Sequence, residues 1–324
     1  MEGRPVNVFF DFARSGFYYY RLPIMNETMS ASPSDLADLR RQLDEIDDRL
    51  HDLLIDRAEI VGEVAASKKT NEKGGDAAFY QRAREAQILR RLAARHRGGL
   101  PFASIARIWR ELLAATVRLE TPFAVAVFVP AEAQGFWDLA RDHYGSHTPM
   151  SGYRSIGQVI RAVTEGRVSV GILPMPQEGD PDPWWRHLLS EGDHAPRVIA
   201  RLPFGPRGNA RADGADALAI GPGRQQETGA DRTLFATEWA ADISRARFLG
   251  MLSSADLSCT FYASWEHAAG AVSLVELDGF VPISDPRLAG FRARLGTALY
   301  RLLPFGGYAL PLSTAPLSVG AARG

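Results

Sequence analysis

The chain has 324 residues, a length that predicts two domains of ordinary size or three small ones. Its 37 lysine and arginine residues nearly balance its 38 aspartate and glutamate residues, so the net charge is -1. General nucleic-acid binders are strongly basic, and this composition excludes that class, although it allows a local group of arginines that binds a small anion. With 46% hydrophobic and 23% charged residues, the chain can bury a substantial core.

The cysteine content and the chain start bear on the cellular compartment. The single cysteine, Cys259, rules out an intrachain disulfide and a cysteine-based zinc site, and we expect a reducing, cytoplasmic setting. No apolar run reaches the roughly 18 residues that span a bilayer, so we expect no membrane partner. Residues 1–33 lack the pattern of a signal peptide and are predicted to be a disordered extension, with Met1, Met25 or Met29 as the start.

The first predicted helix begins at Ser34-Asp35, which can cap it. Apolar residues then recur at helical spacing: Leu36, Leu39, Leu43, Ile46, Leu50, Leu53, Ile60 and Val64. Arg57 occupies a position in this series where the pattern calls for an aliphatic side chain. Lys68 lies close to a whole number of turns further along, so it projects from much the same face.

Two further helices are predicted, one over Ala78–His96 and one that ends near Glu120. The earlier helix carries Arg84 and Glu85 near its start. In the later helix, Thr116 and Glu120 lie one turn apart and continue the apolar stripe, where a carboxylate is out of place. These three helices must pack together or against a second copy to bury their stripes.

The charged residues in these helices allow two interpretations. An unpaired buried cation costs several kcal/mol, so converging arginines would need an anion such as a small dicarboxylate. Alternatively, the arginines pair with Asp56, Glu59 and Glu63 on a solvated helix face. The helical spacing alone favours the solvated face.

A family resemblance favours the anion site. The segment Leu39–Lys68 (LRRQLDEIDDRLHDLLIDRAEIVGEVAASK), followed by Arg84-Glu85 in AREAQILRRL and by Ile105–Glu120, resembles the all-helical chorismate mutase family. Members of that family have three helices, form intertwined dimers and convert chorismate to prephenate. The resemblance therefore implies an all-α mutase domain, a homodimer and chorismate as the small-molecule partner.

The resemblance also implies how the substrate would be bound. Arg40 matches the arginine that reaches into the partner subunit's site, and Arg57 and Arg84 match the arginines that hold the two carboxylates. Gln81 stands where the family often has an aspartate that helps to bind the substrate. Thr116 stands where the family often has a serine.

Three positions match the family's catalytic groups. Lys68 matches the lysine that donates to the ether oxygen, and Glu85 matches the residue that accepts from the ring hydroxyl. Glu120 stands where many members of the family have a glutamine. A glutamate at this position can donate to the ether oxygen only when it is protonated. The rearrangement needs no cofactor, and the histidines have no metal-ligand spacing, so we expect neither a cofactor nor a metal.

The middle of the chain resembles a shortened enzyme domain. Phe136–Glu178 is similar to part of the prephenate dehydratase domain, with a predicted helix over Val159–Gly166 and a strand over Val168–Leu173. The family's Thr-Arg-Phe motif is missing. Asp231–Phe235 (DRTLF) contains the same three residue types, but in a different order. We therefore expect a reduced relative that has lost dehydratase activity, with Trp184-Trp185 as packing residues.

The C-terminal part resembles the ACT regulatory fold, which has a βαββαβ order. The predicted elements are strand Thr233–Trp239, helix Ser244–Ala255, strand Ser258–Trp265, strand Ala271–Leu277, helix Pro286–Leu299 and strand Phe305–Leu310. The amino-acid-sensing motifs of that family are not intact, so a structural or dimerisation role is favoured over amino-acid binding.

The predicted domains are a mutase helical domain at 34–121, a reduced dehydratase-like α/β region at 122–231 and an ACT-like domain at 232–312. Residues 313–324 are predicted to be a flexible tail. The sequence thus predicts a multidomain chorismate mutase. The alternatives are a regulatory or scaffolding protein with a vestigial mutase site, and a bifunctional chorismate mutase-prephenate dehydratase.

Overall fold

The structure is a computed structural model that describes residues 33–71, 82–131, 134–192, 195–209, 211, 216–240, 242–267 and 270–312. Nearly all of the predicted N-terminal extension and the whole predicted C-terminal tail lie outside these described residues. The chain divides into two compact units, Met1–Arg57 and Ala58–Gly324. Among the described residues, no helix combines the length and the apolar character that crossing a bilayer requires.

Three helices form the N-terminal part, as predicted: α1 (Pro33–Asn71), α2 (Arg82–Arg95) and α3 (Phe102–Glu120). Pro101, with its φ near the helical value, directly precedes α3. At the other end of α3, the backbone N–H of Thr121 donates to the carbonyl of Val117 and closes the last turn.

The apolar stripe of α1 is exposed in a single chain. Within the first unit, Leu36, Leu39, Leu43, Ile46, Leu50 and Leu53 are each 47% to 61% exposed. Apolar side chains on one face of a helix this long are normally buried against another element. An exposed apolar face of this kind is typical of a contact surface.

After α3, the residues that the structure describes form one nine-stranded sheet with helices on its faces. Its strands are β1 (Val125–Phe128), β2 (Met150–Tyr153), β3 (Val170–Pro174), β4 (Arg197–Leu202), β5 (Ala217–Gly221), β6 (Asp231–Ala240), β7 (Cys259–His267), β8 (Gly270–Asp278) and β9 (Leu299–Ala309). Their order across the sheet is β2-β1-β3-β5-β4-β9-β6-β8-β7. The helices of this part are α4 (Gly135–Tyr144), α5 (Ile156–Thr164), α6 (Arg245–Ser253) and α7 (Pro286–Leu295).

The C-terminal elements have the expected βαββαβ order. They run β6, α6, β7, β8, α7, β9, and the strands lie antiparallel in the order β9-β6-β8-β7. Side chains alternate across β6: Leu234 and Ala236 face one hydrophobic cluster, whereas Phe235 and Trp239 face another together with α6 and α7. The fold class predicted for this part is confirmed.

The two halves of the sheet meet between β4 and β9. These strands are parallel and pair at Val198 and Gly306. Gly306 has a φ of +104°, and a Cβ at this position would lie 2.1 Å from the carbonyl oxygen of Val198. Only glycine fits here, because a side chain would enter the backbone of the neighbouring strand.

The end of the fold differs from the prediction. The last helix was predicted to reach Leu299, but α7 ends at Leu295, where Gly296 adopts a φ of +55°. A short 3₁₀ turn over Gly296–Ala298 follows, and β9 begins at Leu299 and not at Phe305. The prediction was wrong because residues 299–303 pair with β6, a long-range contact that overrides local helix preference.

The paired tryptophans are packing residues, as predicted. Trp184 and Trp185 lie in a short 3₁₀ helix, Trp184–Leu188, and both side chains are buried. They belong to the hydrophobic cluster that contains Leu234 and Phe305 on the face of the sheet opposite α6 and α7. This turn therefore helps to cover both halves of the sheet.

Candidate active site

The candidate residues on α2 lie on different sides of the helix. Arg84 is exposed, whereas Glu85 is buried. Consecutive helical residues point about 100° apart, which allows this contrast. Arg110 of α3 donates from Nη1 to Glu85 Oε2 at 3.0 Å, and the two side chains are 8% and 9% exposed. Glu85 therefore takes part in a buried ion pair between α2 and α3.

The ion pair packs against the α/β part of the chain. The Arg110 guanidinium lies 5.1 Å from the ring centroid of Phe204, which follows β4 and is buried. His143 of α4 is also buried nearby, and burial together with the charge of Arg110 holds the pKa of this imidazole well below its usual value. His143 is therefore uncharged at neutral pH, next to a permanently charged arginine.

A second arginine attaches α2 to the sheet. The guanidinium of Arg90 donates to the carbonyl of Thr228 at 3.1 Å, to its hydroxyl at 2.8 Å, to the carbonyl of Ala230 at 2.7 Å and to that of Leu310 at 2.9 Å. These acceptors flank the start of β6 and the end of β9. One side chain thus joins α2 to two neighbouring strands.

Polar contacts also join α3 to α4 and the turn after it. The carboxylate of Glu111 accepts from the backbone N–H of Ser146 at 3.0 Å and from its hydroxyl at 3.1 Å. Arg118 donates to the carbonyl of His147 at 2.6 Å, and Arg107 lies 2.5 Å from Asp142. The α2–α3 hairpin is therefore fixed to the α/β region by side chains from both of its helices.

A cavity of about 490 Å³ lies between α3, α4 and the loop at 203–208. Arg107, Arg110, His143 and Phe204 contribute to its lining. A larger cavity of about 820 Å³ lies beside α6 and β7, where Arg245 pairs with Glu178 and stacks on a tyrosine ring. Within the described ranges, no group of three or more His, Cys, Asp or Glu residues could hold a metal ion.

The other candidate residues lie in several parts of the structure. Thr116 and Glu120 are half-buried on α3, and the Thr116 hydroxyl donates to the carbonyl of Leu112 at 2.9 Å. Arg40 is exposed and Arg57 is half-buried in the first unit. The Lys68 side chain and the whole of Gln81 lie outside the described residues.

The residues that support Glu85 were not predicted from the sequence. Arg110 lies between Ala106 and Leu113 on the buried stripe of α3, so it is a charged residue at a position where the spacing calls for an apolar one. The same reasoning that singled out Arg57 could have identified it. Phe204 gave no comparable signal, because its contact with Arg110 joins distant parts of the chain.

Comparison with known proteins identifies the helical part. Residues 39–121 match the family model for chorismate mutase type II. The chain is 33% identical over 141 residues to the bifunctional chorismate mutase/prephenate dehydratase of Stutzerimonas stutzeri, covering 43% of this chain and 38% of that protein. It is 31% identical over 146 residues to the protein of the same description from Pseudomonas aeruginosa, covering 45% and 40%. The matched segment spans about two-fifths of the length of these curated relatives.

Solved structures are similar to part of this chain at low sequence identity. Prephenate dehydratase from Streptococcus mutans has 12% identity and a TM-score of 0.43, covering 58% of this chain and 98% of that one. Prephenate dehydratase from Arthrobacter aurescens, solved with L-Phe, has 13% identity and a TM-score of 0.43, covering 60% and 93%. The chain thus carries a chorismate mutase type II domain at 39–121, followed by a mixed α/β part.

Proposed function

We propose that this protein is a chorismate mutase, which rearranges chorismate to prephenate in the biosynthesis of phenylalanine and tyrosine. The observation that carries the proposal is the chorismate mutase type II match over residues 39–121, since every candidate site residue lies inside it. The names of the two curated relatives, which include the same activity, support it further.

The proposed binding roles follow the chemistry of a dicarboxylate. Arg57 and Arg84 would each bind one carboxylate of chorismate, because a guanidinium matches a carboxylate in a bidentate fork. Gln81 and Thr116 would contribute hydrogen bonds to the bound substrate. Arg40 would enter the site of the partner subunit.

The proposed catalytic roles suit an intramolecular rearrangement. The protein would hold chorismate in a conformation in which the reacting atoms are close together. Lys68 and Glu120 would donate to the ether oxygen, where negative charge develops as the bond breaks, and Glu85 would accept from the ring hydroxyl. This reaction uses no metal, nucleophile or redox group, so we propose no cofactor.

We propose that the active form is a homodimer. The exposed leucines of α1, among them Leu39, Leu43 and Leu50, need an apolar partner surface, and a second copy of α1 offers a matching one. A dimer in which the α1 helices pack against each other would also supply Arg40 across the interface. Chorismate and a second copy of the chain are the partners we propose, in a cytoplasmic enzyme.

We propose that the α/β region has lost dehydratase activity. Thr233 lies in the segment whose letters resemble the missing motif, and its hydroxyl donates to the carbonyl of Gly279 at 2.9 Å and accepts from the N–H of Val281 at 3.0 Å. Arg232 pairs with Asp278 and lies 3.8 Å from Glu276. These polar groups are engaged in holding β6 to its neighbours, which supports a structural role.

The proposed domains keep the bounds predicted from the sequence. They are an extension at 1–33, the mutase domain at 34–121, the reduced dehydratase-like region at 122–231, the ACT-like domain at 232–312 and a tail at 313–324. For the ACT-like domain we propose a structural or dimerisation role. A bifunctional mutase-dehydratase is the second candidate, favoured by the names of the curated relatives.

The test is the initial rate of chorismate loss with the purified wild-type chain and with Arg57→Ala. We expect turnover in the wild type and a loss of roughly a hundredfold or more in the variant, because a substrate carboxylate would lose its counter-ion. A folded wild-type protein that leaves chorismate unchanged would instead favour a regulatory or scaffolding role with a vestigial site.

A further inference from the structure

The buried ion pair of Glu85 and Arg110 is not explained by a contribution to folding stability alone. Removing two charges from water is costly, and an apolar pair of similar volume often stabilises a core as well or better. Here the pair lies at an Nη1–Oε2 distance of 3.0 Å, with both side chains at least nine-tenths buried. Such a pair fixes the position of its carboxylate.

The position of Arg110 depends in turn on the α/β region. Its guanidinium lies over the ring of Phe204, which is buried in a cluster with Ala86, Leu89 and Ala106 of the helical hairpin. The carbonyl of Phe204 accepts from the N–H of Leu312 at 2.7 Å, so the loop after β4 is tied to the segment after β9. The attraction between a cation and the face of an aromatic ring helps to hold the guanidinium in place.

The neighbouring groups in the cavity leave Glu85 as the carboxylate that pairs with Arg110. His143 lies beside it in the same cavity lining and is uncharged at neutral pH. Asp142, in the same lining, is paired with Arg107 at 2.5 Å. Glu85 is the carboxylate to which Arg110 donates its hydrogen bond.

We propose that Arg110 is a positioning residue for the mutase reaction, holding Glu85 where it can accept from the ring hydroxyl of chorismate. The proposal rests on the proposed function. An ionised carboxylate can accept several hydrogen bonds, so a bond from Arg110 is compatible with one from the substrate. Through Phe204, the α/β region would complete a site whose reacting groups all belong to the helical domain.

The experiment is a kinetic double-mutant cycle on the full chain with Arg110→Met, Glu85→Gln and the double variant. We expect Arg110→Met to lower kcat/KM for chorismate by roughly tenfold to a hundredfold, as misplaced catalytic groups do. In the Glu85→Gln background, the same substitution should change kcat/KM by less than about twofold, because its effect passes through the carboxylate. Arg110→Lys, which keeps the charge but not the planar fork, should recover part of the loss.

The matched control is Arg287→Met, which breaks another ion pair of a partly buried carboxylate, the 2.8 Å contact with Asp285 at the start of α7. It should lower the Tm without changing kcat/KM at temperatures where the protein is folded. Phe204→Leu, which keeps apolar bulk but removes the ring, should lower kcat/KM in the same direction as Arg110→Met.

Two outcomes would overturn the proposal with the mutase activity intact. One is an equal loss from Arg110→Met in both Glu85 backgrounds, and the other is a fall in Tm with unchanged kinetics. Absence of turnover in the wild type would overturn the proposed function and, with it, this role of Arg110. The two failures are therefore distinguishable by the wild-type rate alone.

Discussion

The buried imidazole of His143, next to the charged guanidinium of Arg110, makes the stability of the protein depend on pH. His143 is buried, and burial and the charge of Arg110 lower its pKa well below the usual value of about 6.5. In the unfolded chain the same imidazole takes up a proton near pH 6.5. The unfolded state therefore binds more protons than the folded state below this pH, so the free energy of unfolding falls as the pH decreases from about 6.5.

We predict that His143→Phe makes the stability less dependent on acid. The phenyl ring can keep the contact with Tyr144, whose ring centroid is 4.6 Å away, and cannot bind a proton. The Tm of the wild type should fall more steeply than that of the variant between pH 7 and pH 5. Parallel Tm profiles over this range would contradict the assignment.

Glu120 gives a prediction in activity. In the proposed site its side chain must donate to the ether oxygen. Glu120→Gln, which carries donor N–H groups, should therefore keep or raise kcat for chorismate, whereas Glu120→Ala, which has no donor, should lower it by roughly tenfold or more. Equal kcat values for the two variants would refute this role.

Among single residues, the sequence identified charged side chains at helix positions where apolar ones are expected, but it did not identify the partners of these side chains. Arg57 and Glu120 stood out because helical spacing called for apolar residues there, and Lys68 because it projects from much the same face as Arg57. Arg110 gave the same signal on α3, and its pairing with Glu85 follows from the packing of two helices. Its contact with Phe204 could not be predicted, since 94 residues separate the two in the chain.

At the scale of elements, α2 is held on the sheet by Arg90. We predict that Arg90→Met destabilises the protein by roughly 1–3 kcal/mol, because part-buried acceptors at Thr228 and Leu310 lose a charged donor. The control is Arg91→Met, the neighbouring exposed arginine on the same helix. Urea unfolding of the two variants measures the difference, and equal midpoints would show that the four bonds of Arg90 contribute nothing.

The helices and strands with a clear local sequence pattern were predicted, and those without one were missed. The long periodic helices and the C-terminal βαββαβ order follow from hydrophobic spacing and turn residues. The short strands β1 and β5 did not, since VAVF and ALAIG are buried on both faces and have no alternation. The start of β9 was missed because its first residues are ordered by pairing with β6.

At the scale of the whole molecule, the sheet is continuous because β9 lacks a side chain where it meets β4. We predict that Gly306→Ala lowers the free energy of unfolding by several kcal/mol, since its Cβ would lie 2.1 Å from the Val198 oxygen at a strained positive φ. Gly290→Ala on α7, where a Cβ would meet nothing within 4 Å, should instead stabilise slightly. Denaturant unfolding compares them, and a Gly306→Ala protein as stable as the wild type would contradict the close approach.

The exposed face of α1 predicts the oligomeric state. The wild type should have a mass in solution of twice the 35.5 kDa of one chain. Leu43→Asp should shift it toward the monomer, because a carboxylate would be buried in the interface. Arg41→Asp, two residues away on the other side of the helix, should remain dimeric. Light scattering measures all three masses, and a monomeric wild type would rule out the proposed dimer.

The proposed function combines a mutase site in the helical domain with an α/β region that supports this site and has lost dehydratase activity. The most direct measurement is a proton NMR time course of chorismate with the purified full chain, which identifies each product. We expect prephenate to accumulate in step with the loss of chorismate, and no phenylpyruvate beyond the uncatalysed background. Unchanged chorismate would contradict the mutase, and enzyme-dependent phenylpyruvate would contradict the loss of dehydratase activity.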